Sequence, residues 1–257
     1  MIVIAHLSDI HLDAGGRKAE RHSVARTRAV MDYLERLPYD LDAVLVTGDI
    51  ADHAAPEEYA RARRLLTSRH PVLVCPGNHD ARAPFREGLL GEAPSGGPVN
   101  QALETDRFVV ALCDSSVPGE HHGLLEDATL AWLDELLTRT PRTVPVLVGF
   151  HHPPVTVQSR FTDSIRQFGE ERLAAVAERH PHLLAFVCGH AHAPVATTFA
   201  GRPLLVAPGV VSTLRLPWEH GPGRTSAVLA DVPPGLLFHV IDEDGRLTTH
   251  FRPVAMG

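Results

Sequence analysis

Ile2-Val3-Ile4-Ala5-His6-Leu7-Ser8-Asp9-Ile10-His11 decides the reading of this chain: a short apolar run ends in Ser-Asp, with a histidine two residues later. A run of that length without helical spacing reads as a buried strand. Ala43–Thr47 and Val72–Cys75 repeat the pattern. Helices separate the three runs. The first carries Val30, Met31, Leu34 and Leu37 on one face and stops at Pro38; the second follows Pro56-Glu57-Glu58, a good first turn, with Tyr59, Ala62, Leu65 and Leu66 inward. The order β-α-β-α-β implies a parallel sheet.

Residues 81–97 lose periodicity and are rich in Gly and Pro, which predicts a surface loop with one short helix at most. The rhythm then resumes with strand Phe108–Leu112, a helix carrying Leu130, Leu133 and Leu137, strand Val144–Phe150, a helix carrying Leu173 and Val176, and strand Leu183–Cys188. From Ala193 onward short strands alternate with turns: Val195–Phe199, Pro203–Val206, Ser226–Ala230, Leu236–Ile241 and Arg246–Phe251, with Asp244-Gly245 as a hairpin turn. No repeat or linker interrupts the chain. The expectation is one domain over 1–257, whose segment 193–257 supplies mostly strands of a second sheet.

Composition narrows the chemistry. The 257 residues are 44% hydrophobic and 21% charged, as in ordinary globular proteins, and 24 basic against 31 acidic residues give a net charge of −7. That balance excludes a general nucleic-acid backbone binder. No apolar run reaches the roughly 20 residues that span a bilayer, and the first residues lack a charged leader, so the expectation is a cytoplasmic chain without a membrane partner. Cys75, Cys113 and Cys188 form no Cys-x-x-Cys pair and read as buried thiols. Lys18, the only lysine, lies in no Gly-rich loop, and no Gly-x-Ser-x-Gly elbow occurs, which excludes a P-loop and a serine-hydrolase turn. The 17 histidines exceed what core packing explains.

Residues with metal-ligand chemistry fall, segment after segment, just past an apolar strand: Asp9 and His11, Asp49, Asn78 and His79, His151 and His152, His190 and His192. The carboxyl ends of parallel strands share a rim where ligands bind. Asp9 and His11 stand at i and i+2, so in an extended chain both point to one face and can hold one ion; the same holds for His190 and His192. Gly48, Gly77 and Gly189 allow tight exits. Two carboxylates, an amide oxygen and four imidazoles suit Mn, Fe, Zn or Co better than Ca or Mg.

The ordered set Asp9-x-His11, Gly48-Asp49, Gly77-Asn78-His79-Asp80, His151-His152-Pro153-Pro154 and Gly189-His190-Ala191-His192 resembles the calcineurin-like metallophosphoesterase superfamily over residues 7 to about 210. Within it, Thr47–Asp52, Ser116–Gly119 with His121-His122-Gly123, and the double His-Pro-Pro segment resemble class III cyclic nucleotide phosphodiesterases and their glycerophosphodiesterase relatives. The resemblance implies a four-layer αββα sandwich of two mixed sheets flanked by helices, and two divalent metal ions as cofactors. It assigns Asp9, His11 and His192 to one ion, Asn78, His151 and His190 to the other, and Asp49 to both. His151 is taken over His152 because the family's ligand stands two residues before the first proline.

Two ions roughly 3.5–4 Å apart bring a bound hydroxide near neutral pKa, and with both aspartates and that hydroxide the centre keeps one positive charge, which complements a phosphodiester anion. His79 would donate to the phosphoryl or leaving oxygen, oriented by Asp80 or another carboxylate. His22, His70, His180, His182, His220 and His250 read as solvated, His6 and His239 as satisfied core groups. His121, His122 and His152 stay open as substrate contacts, and Arg82 as an anchor for phosphate or for its loop. Phe85, Phe161 and Trp218 are the candidate base-stacking aromatics.

The expected activity is hydrolysis of a small phosphodiester, a 3′,5′-cyclic nucleotide first, and no long nucleic acid. A glycerophosphodiester, a phosphomonoester or a nucleotide pyrophosphate is the alternative substrate, and a non-catalytic scaffold the alternative class. Oligomeric state is open, a homodimer included.

Overall fold

The computed structural model describes residues 1–219 and 227–256, and of 17–21 the backbone; the side chain of Lys18, His220 and the first residue of the strand expected from Ser226 lie outside it. The first half of the chain runs β1 (Ile2–Leu7), α1 (Arg17–Glu35), β2 (Ala43–Thr47), α2 (Pro56–Leu65), β3 (Val72–Cys75), α3 (Arg82–Phe85), β4 (Gln101–Glu104), β5 (Val109–Leu112), β6 (Gly123–Leu124) and α4 (Asp127–Arg139). Then follow β7 (Val146–Gly149), α5 (Arg160–Ser164), β8 (Gln167–Phe168), α6 (Glu170–Arg179), β9 (Leu183–Cys188), β10 (Val195–Phe199), β11 (Arg202–Val206), β12 (Thr213–Leu214), β13 (Val228–Leu229), β14 (Gly235–Ile241) and β15 (Leu247–Pro253).

Two mixed sheets result, one in the order β15-β14-β1-β2-β3 and one in the order β10-β11-β9-β7-β5-β4. Strands β1, β2 and β3 are parallel, as are β5, β7 and β9. Their sequences read as continuous apolar runs because both faces are covered. In β2, Val44 and Val46 pack with Leu34 of α1 and Tyr59 of α2, whereas Ala43 and Leu45 meet the other sheet. In β5, Val110 and Leu112 face Ile4 and Leu45 across the middle, while Val109 and Ala111 pack with Leu133 of α4 and Leu173 of α6. Side chains alternate along a strand, so one strand feeds two cores and the layers stack helix, sheet, sheet, helix.

The strands after residue 193 do not gather in one sheet: β12 and β13 pair only with each other, and the longer strands divide between the two large sheets. β10 and β11 extend the six-stranded sheet through parallel pairing of β11 with β9, and β14 and β15 extend the other through antiparallel pairing of β14 with β1. The reason is edge pairing: β9 and β1 each carry a row of backbone groups that needs a partner, and the late strands supply one to each. Residues 81–97 hold α3 and one π-helical turn, Arg86–Leu90, closed by Gly91 in a left-handed conformation.

Several histidines expected at the surface are structural. His70 is buried and accepts the Leu41 N–H, and His180 is buried against Asp134 at 2.7 Å. His22 and His182 are half-buried against backbone carbonyls, and His250 is exposed. His6 and His239 form a buried pair 3.1 Å apart, ended by Thr47 and Thr249 hydroxyls. Burial lowers both imidazoles, His239 to about 3, so the pair stays neutral.

Arg82 anchors its loop. Only 6% exposed, it reaches the buried Asp114 carboxylate at 2.8 Å, Glu126 at 2.7 Å and the Ser116 carbonyl at 2.8 Å, which ties the segment after β3 to the loop after β5. Removing one partner of a buried pair strands the other charge. Arg82→Ala is therefore expected to cost about 3–5 kcal/mol of stability, read as a lower urea midpoint; a change below about 1 kcal/mol would contradict this role.

Candidate metal centre

Five strand exits meet at one rim. Asp9 and His11 follow β1, Asp49 follows β2, Asn78 and His79 follow β3, His151 follows β7, and His190 and His192 follow β9. Three of these strands belong to one sheet and two to the other. The exits are not extended: Asp9 (φ 54°), His11 (φ 40°), Asp49 (φ 49°), His190 (φ 68°) and His192 (φ 51°) are all left-handed. The premise of an extended Asp9-x-His11 is thus corrected, and the turned backbone brings the side chains together instead. Non-glycine residues in this region carry strain that persists only where the surroundings fix it. Here the fixing contacts are backbone bonds from Asp9 N–H to the Gly48 carbonyl (3.2 Å) and from His11 N–H to the Asp49 carbonyl (2.9 Å). Gly77 is demanded by closeness, since a Cβ there would lie 2.2 Å from Asp49 Oδ1.

The donors gather in two sets. In the first, Asp9 Oδ1 lies 3.3 Å from His192 Nε2 and 4.0 Å from His11 Nε2, and the two ring nitrogens are 3.2 Å apart. His11 Nδ1 faces the Asp52 carboxylate at 2.9 Å and His192 Nδ1 the Ser212 hydroxyl at 3.0 Å. In the second, His151 Nδ1 donates to the Thr47 carbonyl at 2.7 Å, which turns Nε2 toward the site, 3.2 Å from His190 Nδ1. Asp49 Oδ2 stands between the sets, 3.5 Å from His11 Nε2 and 3.3 Å from His151 Nε2. Its Oδ1 accepts the His79 N–H at 2.9 Å.

Asp9 Oδ1 and Asn78 Oδ1 are buried and find no hydrogen-bond donor among the described residues. Buried acceptors normally have partners, and two carboxylates, an amide oxygen and four imidazoles turned toward one another fit divalent cations. The groups Asp9, His11 and His192, and Asp9, Asp49 and His151, each bring their ligand atoms within 4.8 Å of one another.

Electrostatics follow the same geometry. Burial would raise Asp49, but the His151, His11 and His79 imidazoles draw it well below the usual carboxylate range. Burial would lower His151, and the Asp49 carboxylate outweighs it, leaving this imidazole at about 9. His190 is pushed well down by burial and by His151, and His192 down by burial and His11. In the chain without ions, His151 thus holds the proton that balances Asp49.

His79 donates from Nδ1 to the Asp52 backbone carbonyl at 2.9 Å, with the Asp52 carboxylate at 3.5 Å. Asp80, expected to orient this ring, does not: its oxygens accept the Gly77, Ile50 and Ala51 N–H groups at 2.9–3.1 Å. Burial and Asp49 raise Asp80 to about 6. Asp52 is the carboxylate that sequence reasoning missed, although its place three residues after Asp49 put it at the same exit. Ser212, twenty residues beyond His192, carried no signal. His152 is buried with Nδ1 on the Ser115 hydroxyl at 2.9 Å, and it stands with His151 and His190 in a further group whose ligand atoms lie within 4.8 Å of one another.

A cavity of about 350 Å³ opens above these donors. Its floor is His11, Asp49, Asn78, His190 and His192; His79, His121 and Ser212 line it, and Phe161, Ile165, Leu214 and Val228 form an apolar wall. Phe85 is core, packed edge-on against Tyr59, and Trp218 is exposed. No helix among the described residues is long and apolar enough to cross a membrane.

Known proteins resemble this chain in sequence and fold. A glycerophosphodiester phosphodiesterase of Enterobacter lignolyticus, GpdQ, is 34% identical over 250 residues, 93% of this chain and 86% of that protein. A cAMP/cGMP dual specificity phosphodiesterase of Mycobacterium tuberculosis is 31% identical over 251 residues, 93% of this chain and 78% of that protein. A dimetal phosphatase from Danio rerio shares the fold, with a TM-score of 0.67 over 99% of both chains at 17% identity. The model of the calcineurin-like phosphoesterase family matches residues 2–194. The chain belongs to the calcineurin-like phosphoesterase family and is a metal-dependent hydrolase of phosphoric esters.

Proposed function

We propose that this phosphoesterase is a dinuclear phosphodiesterase that cleaves a small diester, a 3′,5′-cyclic nucleotide first. The observation that carries the reading is the position of Asp49 Oδ2, within 3.5 Å of His11 in one donor set and 3.3 Å of His151 in the other. Asp9, His11 and His192 would hold one divalent ion, Asn78, His151 and His190 a second, with Asp49 common to both. Bound there, the two ions supply Lewis acidity to the phosphoryl oxygens and an activated water.

The remaining work belongs to the chain. Thr47, Asp52 and Ser212 fix the outer nitrogens of His151, His11 and His192, so the inner ones are pre-aimed. His79 spends Nδ1 on the Asp52 carbonyl, which leaves Nε2 as the nitrogen available to the cavity it lines. As an imidazolium it would donate from Nε2 to the departing oxygen. A cavity of about 350 Å³ and a net charge of −7 favour a small monoanion over a polyanion. A glycerophosphodiester is the second reading, favoured by the 34% identity to GpdQ.

Four outcomes follow from this assignment. Metal analysis of the loaded protein should give two divalent ions per chain, and Asp49→Ala should weaken both sites; one ion at saturation would sink the dinuclear reading. Asn78→Ala should lose occupancy at one site and regain part of its activity in excess metal. His79→Ala should keep both ions yet lose roughly 10²–10⁴-fold in kcat, a loss that metal does not repair and that an aryl leaving group softens. Metal loss in His79→Ala would overturn its assigned role. Cyclic nucleotides should also turn over faster than single-stranded DNA at physiological salt, and the reverse order would contradict the electrostatic argument.

A further inference from the structure

The cavity is chemically divided. Toward the floor it offers carboxylate, amide and imidazole atoms; on one side stand Phe161, Ile165, Leu214 and Val228. Phe161 is 68% exposed, on the five-residue α5, and Val228, which lines the same cavity, is 49% exposed. Large aromatic rings are normally covered, and one left open on the wall of a cavity whose floor is polar marks a place for an apolar, flat surface. His79, the proposed donor to the departing oxygen, lines the same cavity as these apolar residues. On the other side of His11 and His192 a separate hollow is lined by Asp13, His22, Asp52 and Ser212, which is polar and acidic.

We infer that the wall built on Phe161 is a subsite for a planar heteroaromatic ring, the base of a nucleotide, and that it sets specificity by stacking while the donor cluster takes the phosphate. This rests on the phosphodiesterase reading for the identity of the site but makes a separable claim, because stacking is an equilibrium property. A glycerol substituent has no ring to place there. Every base has a π-face, so the subsite would favour nucleotides as a class and discriminate weakly among bases.

The test compares two phosphate monoesters on the manganese-loaded protein, adenosine 5′-monophosphate and glycerol 3-phosphate, by calorimetric titration. Wild type should bind the nucleotide roughly tenfold or more tightly, the usual scale of one base on one aromatic ring. Phe161→Ala should erase most of that preference while leaving glycerol 3-phosphate within about twofold, and Phe161→Trp should restore it. Circular dichroism and metal content would establish that the variants are folded and loaded. Equal affinities in wild type, or a preference untouched by Phe161→Ala, would overturn the subsite. Turnover of cyclic AMP and glycerophosphocholine supplies the other arm: a nucleotide preference without hydrolysis of either diester defeats the phosphodiesterase reading and leaves the subsite standing.

Discussion

The Asp49 carboxylate divides its two oxygens, and the rim of the molecule is arranged around that division. Oδ1 is fixed by the His79 N–H, while Oδ2 stays open to imidazoles that arrive from both sheets. The division requires Asp49 in a left-handed conformation and a glycine at position 77, because a Cβ would occupy the carboxylate's place. Like charges would force such a cluster apart. Here the buried Asp49 carboxylate is offset by the protonated His151 in the chain without ions, and a pair of cations would take over that task.

Strain and function coincide at these exits. Five ligand candidates adopt positive φ, all of them at the rim. The cost, of order 1–3 kcal/mol per residue, is offset by cores that lie elsewhere: one between the sheets and two beneath the helices. Asp52 illustrates the economy of the arrangement. Its carboxylate aligns His11 and its carbonyl aligns His79, so a proposed ligand and a proposed proton donor share one positioning residue.

Most of the architecture was legible because burial on both faces writes itself as unbroken apolar runs, as in Ala43–Thr47 and Leu183–Cys188. Pro38 and Pro56 marked helix boundaries for the reasons their rings impose. The strand Gln101–Glu104 was missed because an edge strand needs no apolar run, and its residues alternate between partial burial and exposure. How the late strands divide between the sheets was hidden too, since pairing partners depend on which edges are open. At the site, ligand types could be read from strand exits, but the left-handed backbone at Asp9 and His11 could not, because sterics disfavour it for every residue but glycine. Ser212 was invisible for a simpler reason: a hydroxyl far along the chain from His192 has no pattern to belong to.

The pairing of β14 with β1 has a consequence for how the molecule is made. By the time His192 has been synthesised, every proposed ligand position exists, yet β1 still lacks the antiparallel neighbour that satisfies one of its edges. The strand carrying Asp9 and His11 must wait for the stretch Gly235–Ile241, and contacts spanning nearly the whole chain are slow to form. During that interval the nascent chain presents an apolar strand with an open edge, a template for pairing with a neighbouring chain.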